Sequence, residues 1–133
     1  SLPLRILNSF ITPTSPNNGY EPLYGTSSPL QAAKDNDLDI SQYSLQSLKQ
    51  VMEKCSKLGV NLIVVSSPKY KPTDNNDILQ ALCNEAKIAY INLYDNEEFN
   101  SHPEYFKDAG HLNDIGAKVF SANLSEELKA IIK

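Results

Sequence analysis

Apolar positions along the chain fall into two periods. Between residues 41 and 58, Leu45, Leu48, Val51, Met52, Cys55 and Leu58 recur at spacings of three and four, which places them on one face of a helix. Gly59 follows and supplies a stop. Residues 60–67 (VNLIVVSS) then switch to a β-branched, almost continuously apolar run, as expected for a central parallel strand covered on both faces and ended by Pro68. A second helical stripe, Ile78, Leu79, Leu82, Cys83 and Ala86, has Asp74 or Asn76 as its cap. Residues 88–93 (IAYINL) read as the next strand, and residues 94–110 as a polar loop with room for one short helical turn. Asn113 or Asp114 opens a final helix with Ala117, Phe120, Leu124, Leu128 and Ile131 on its inner face. Near the start, residues 4–11 are apolar enough for a strand. After them Pro13, Pro16, Asn17-Asn18-Gly19, Pro22, Gly25 and Ser27-Ser28-Pro29 break any period up to Asp39.

This alternation predicts one α/β domain over residues 1–133, with a strand and a long Pro/Gly/Asn loop at 1–40 and an α/β core at 41–133. The expected architecture is three-layer α/β/α with a short, mainly parallel sheet, flavodoxin-like. Three strands fall short of the usual four to six, so the fold is expected to be incomplete at its amino end. The chain starts Ser1-Leu2-Pro3-Leu4-Arg5-Ile6-Leu7, without an initiator Met and without the layout of a signal peptide. A segment removed upstream is the expectation, which favours an exported protein while leaving the compartment open. Long loops in compact domains are functional or pack elsewhere; Tyr20 and Tyr24 are candidates to pin this one to the body.

Composition narrows the classes. The 133 residues carry 12 Lys plus Arg against 16 Asp plus Glu, a net charge of −4, so a general binder of nucleic-acid phosphates is excluded and no nucleic-acid partner is expected. No apolar run approaches the roughly 18 residues of a membrane span. Cys55 and Cys83 form no C-x-x-C pair and both fall on apolar stripes, where they read as buried core thiols. Oligomeric state stays open.

In open α/β sheets chemistry lies beyond the carboxyl ends of the strands. That selects Ser66-Ser67-Pro68-Lys69-Tyr70 and the loop at 94–113, which holds both histidines, His102 and His111. In Asp108-Ala109-Gly110-His111 the carboxylate can fold back on Nδ1, fixing the tautomer and leaving Nε2 as a base; the same spacing also suits a plain loop ion pair. Ser66 and Ser67 stand at the right edge for a nucleophile, but Pro68 opposes the strand-to-helix turn that exposes one. Their hydroxyls are better suited to backbone bonds at the strand end, with Ser67 and Tyr70 lining a substrate cleft. His102 reads as a solvated loop residue, and a zinc set of His102, Glu104, Asp108 and His111 has no standard spacing, so no metal is expected. Asp35, Asp37 and Asp39 alternate like a calcium loop, yet Ile40 and Gln46 occupy the positions of its Gly and Glu. Asn123-Leu124-Ser125 matches a glycosylation acceptor but lies inside the last helix. No Gly-rich loop follows a visible strand, which argues against a flavin or nucleotide and leaves no cofactor expected.

The run Asp108-x-x-His111-Leu112-Asn113-x-x-Gly116-Ala117-x-x-Phe120 resembles the last conserved block of the SGNH (GDSL) hydrolases, whose D-x-x-H supplies the acid and base of a Ser-His-Asp triad. The layout from residue 18 onward is similar to the sugar O-acetyl transfer and esterase-like branches of that superfamily. The resemblance implies an ester hydrolase or acyl transferase with a small-molecule or carbohydrate ester as its substrate, Asp108 as acid and His111 as base. The loop at 17–29 would then form one wall of the cleft. The chain departs from the family in having no G-D-S nucleophile block and no G-x-N-D block. Taken alone it is therefore expected to be inactive, and the alternative is a non-catalytic binding or structural α/β module.

Overall fold

The computed structural model describes residues 20–32, 42–73 and 76–132. The expected strand at 4–11, the carboxylate run at 35–39 and the Asp74 cap lie outside the described residues. Within them the chain is mixed α/β. Its order is α1 (Gln42–Leu58), β1 (Ile63–Ser66), α2 (Asp77–Ala86), β2 (Ala89–Asn92), a short α3 (Glu97–Asn100), a 3-10 turn (Pro103–Tyr105), β3 (Phe106–Asp108), β4 (His111–Leu112) and α4 (Asp114–Ile131).

Helix α1 stops where its sequence says it should. Gly59 adopts φ 65, Gly59 N–H donates to Ser56 O at 3.2 Å and Val60 N–H to Cys55 O at 2.9 Å, the bonds of a left-handed terminus. Met52 of α1 is buried and packs with Leu82 and Cys83 of α2 against Val64 and Tyr90 of the strands. The predicted stripe is wider than the surface available to cover it, however: Val51 and Leu58 are exposed, as are Ile78 in α2 and Ile131 in α4. Cys83 is fully buried, whereas Cys55 is only half-buried; both thiols are free. Burial pushes the Cys83 thiol up from its ordinary value.

Strand β1 pairs in parallel with β2, Ile63 opposite Ala89 and Ser66 opposite Asn92. The eight-residue apolar run thus contributes only four residues to the ladder, because four is the length its partner offers. The second face is covered only over β2, where Ile91 is buried. Val64 and Ser66 face the helical core, while Val65 on the other face is 36% exposed. Helix α4 lies against β2. Among the described residues no helix is long and apolar enough to cross a membrane.

The stretch at 94–110, expected to be a polar loop, holds most of the second half's packing. Phe99 and Phe106 are both fully buried, 6.4 Å apart edge to face, and Phe99 meets the Tyr105 ring at 5.9 Å. Each such ring contributes on the order of 2 to 3 kcal/mol by leaving water. Two aromatics suffice to anchor a segment whose other residues are polar, which is why periodicity missed it.

Candidate functional site

Asp108 and His111 stand opposite each other in the β3–β4 hairpin, joined by the two-residue turn Ala109-Gly110. The turn brings Asp108 Oδ1 to 2.8 Å from His111 Nδ1 and 2.9 Å from Gly110 N–H. Partial burial pushes the Asp108 carboxyl up, but the hydrogen bonds from His111 and from the Gly110 and His111 backbone outweigh it and leave the group below its ordinary value. A carboxylate only accepts, so Nδ1 must be the protonated nitrogen and Nε2 carries the lone pair of the neutral ring. The side chains are 51% and 69% exposed, so Nε2 is open to a ligand. Among the described residues no hydroxyl is hydrogen-bonded to the His111 ring.

The neighbouring motif positions have structural work. Asn113 is buried and caps α4, its Oδ1 accepting from Ile115 and Gly116 N–H at 3.0 Å each. Its Nδ2 donates to Glu104 O at 2.7 Å and Gly25 O at 3.3 Å, tying the 3-10 turn and the upstream loop to the helix. Gly116 lies against the Tyr105 backbone so closely that a Cβ there would stand 2.1 Å from the Tyr105 carbonyl oxygen. Of the two capping candidates, Asn113 is therefore the cap. Asp114 instead accepts from Lys118 at 2.7 Å and from Tyr20 at 2.9 Å, which together hold its carboxyl below the ordinary value.

The described part of the upstream loop packs along this hairpin. Ser27 N–H donates to Lys107 O at 2.8 Å, Asp114 N–H to Leu23 O at 2.7 Å, and Lys107 Nζ to Tyr24 O at 3.0 Å. Tyr20 pins the loop through its hydroxyl. Tyr24 does so only through its carbonyl, its side chain remaining well exposed.

Ser66 and Ser67 part company because successive strand residues face opposite ways. Ser66 is buried, its Oγ 2.7 Å from the Tyr90 hydroxyl and 2.8 Å from Asn76 Nδ2. Burial raises the Tyr90 hydroxyl above its ordinary value, partly offset by these bonds. Asn76 thus fails as a side-chain cap of α2: at φ 64 its amide turns inward to Ser66 and Tyr90, a tertiary bond that outcompetes the local one. Ser67 is exposed. Tyr70 N–H donates to Ala109 O at 3.0 Å, bringing the loop after β1 against the Asp108–His111 turn, while the Tyr70 ring packs on Phe106 at 5.5 Å.

His102 is not merely solvated. Its Nδ1 lies 2.7 Å from Glu98 O, to which it donates, and its ring stacks on Tyr105 at 4.7 Å. Among the described residues no three His, Cys, Asp or Glu side chains converge on a point a metal ion could occupy. Asn123 lies within α4 and donates to Glu98 Oε2 at 2.7 Å. Lys69 falls in the segment the sequence singles out but takes no role there, and Lys71 and Asn100 beside it escaped the sequence reading; the alternation Lys69-Tyr70-Lys71 after a strand end was the signal available. No family model, curated protein or solved structure matches the chain.

Proposed function

We propose that the chain carries the acid–base pair of an SGNH-like ester hydrolase or acyl transferase, acting on a small-molecule or carbohydrate ester, within a three-layer α/β/α, flavodoxin-like arrangement. The observation that carries this reading is the 2.8 Å contact between Asp108 Oδ1 and His111 Nδ1 with Nε2 left open. In that mechanism Nε2 removes the proton of the attacking hydroxyl, and the resulting imidazolium, stabilised by Asp108, later protonates the leaving alcohol. The upstream loop at 20–29 and the loop at 67–71 would form the walls, with Ser67 and Tyr70 toward the ester. The chain has no G-D-S block, so this reading leaves the nucleophile unassigned.

A serine-directed fluorophosphonate, followed by peptide mass mapping, tests the reading. Labelling of one serine in the wild-type chain and its loss in His111→Ala would assign the nucleophile to this chain and support the reading, correcting the expectation that the chain taken alone is inactive. The second reading, a binding module that kept the fold without the chemistry, is favoured by one observation: the Ser66 hydroxyl is committed to Tyr90 and Asn76. No label, with aryl acetate hydrolysis unchanged by His111→Ala, would leave that reading in place.

A further inference from the structure

Two lysines beside the Asp108–His111 turn carry charge that no carboxylate among the described residues cancels. The Tyr70 N–H to Ala109 O bond holds the loop at 67–71 against the turn, and Lys69 and Lys71 flank Tyr70 in it. Lys69 Nζ lies 5.7 Å from the centroid of the Tyr94 ring, and Lys71 Nζ 5.3 Å from that of Tyr70. An aromatic face steers an ammonium group without neutralising it. The ion pairs among the described residues join Lys57 to Glu53, His111 to Asp108, Lys118 to Asp114 and Lys129 to Glu126; none takes Lys69 or Lys71. Asp95, which shares Asn100 with this loop, accepts from Asn100 Nδ2 at 2.6 Å and forms no ion pair with either lysine. Asn100 Oδ1 in turn accepts Lys71 N–H at 2.7 Å and fixes Lys71 at φ 46, a left-handed conformation uncommon for a residue with a side chain. In a chain of net charge −4, two lysines that pair with no carboxylate among the described residues, in a loop held against the Asp108–His111 turn, run against the mean field.

From this juxtaposition we infer that the ester acted on at His111 bears an anionic group, a carboxylate or a phosphate, which Lys69 and Lys71 receive. The inference rests on reading His111 as the base of an ester-cleaving site. Lys69 and Lys71 are then specificity residues: they orient the ester through its charge and take no part in bond breaking.

The test titrates the full ¹⁵N-labelled chain with glucuronate, glucose 6-phosphate and glucose, which share a ring and differ in charge. Either anion is expected to shift the backbone amides of residues 69–71 and 109–111, with glucose leaving them in place. A response to glucuronate alone assigns a carboxylate, one to glucose 6-phosphate alone a phosphate. The double variant Lys69→Gln/Lys71→Gln should keep its amide dispersion and bind the anion about tenfold more weakly, as two exposed charge contacts together allow. Equal responses to glucose and both anions, no response to any of them, shifts confined to another surface, or an unchanged affinity in the double variant overturns the inference. His111→Gln should still bind the anion. Lost anion preference with intact phosphonate labelling therefore sinks this inference alone, whereas anion binding without labelling sinks the hydrolase reading alone.

Discussion

Asp108 and His111 show what a short contact at the surface can do and what it cannot. An ion pair half open to water contributes below about 1 kcal/mol, so Asp108→Asn should leave the melting temperature nearly unchanged. Its effect is on proton placement. Because the folded carboxyl sits below its ordinary value, the stabilisation it brings is fully present above the unfolded value of about 3.9 and is lost as pH falls through the lower folded value. Carbon-13 titration of the Asp108 carboxyl should give a midpoint below that of an unfolded peptide; a midpoint at or above it would show that burial outweighs the bonds from His111 and Gly110. This pair was legible in the sequence because a two-residue turn is a local matter, decided by residues three apart. The fate of Ser66 was not. Strand parity and the inward turn of Asn76, ten residues later, decide it, and neither leaves a mark on the local pattern.

At the scale of elements, α4 and the 3-10 turn before it are fitted together at Gly116. A methyl group there would collide with the Tyr105 backbone, which cannot swing aside as a side chain tip can. Gly116→Ala should cost about 3 kcal/mol or more, read as a drop in the urea midpoint. Gly110→Ala is the control. Its added Cβ would meet only Asp108 Oδ1 at 3.7 Å, an ordinary contact, so a change within about 0.5 kcal/mol is expected. Equal losses in the two variants would mean that the glycines serve chain flexibility and not this close approach. The helices themselves were readable, since a stripe at three and four persists over many residues. The strands were readable only as apolar runs, and their four-residue length is set by pairing. The hairpin and the turn at 103–105 left almost no periodic trace, because Phe99, Tyr105 and Phe106 do the packing for a stretch that is otherwise polar.

The two ends of the molecule differ in chemistry. The Asp108–His111 turn lies with the loop that leaves the carboxyl end of β1, whereas a cleft of about 900 Å³ opens at the other end, where Leu62, Ile63, Ile88 and Ala89 begin the strands and α1, α2 and α4 finish. Its volume would suggest a site, yet neither Asp108 nor His111 lines it, and its lining is mixed, Lys57, Glu85 and Lys87 standing beside Ile131 and Ile132. Ile132 in that lining is 68% exposed, and Leu58, next to Lys57 at the end of α1 and outside the lining, is 67% exposed. Exposed apolar side chains of this kind attract apolar dyes and other apolar surfaces. Lysine at either position would remove apolar area and place a positive charge at a helix carboxyl end, where the peptide dipoles favour it. Leu58→Lys/Ile132→Lys is therefore expected to keep or slightly raise the melting temperature and to reduce the fluorescence of Nile red, an uncharged apolar dye. Phosphonate labelling and the response to glucuronate should stay at wild-type levels, because both belong to the opposite end. A fall of many degrees in melting temperature would instead mean that these two side chains are packed in solution and have to be counted as core.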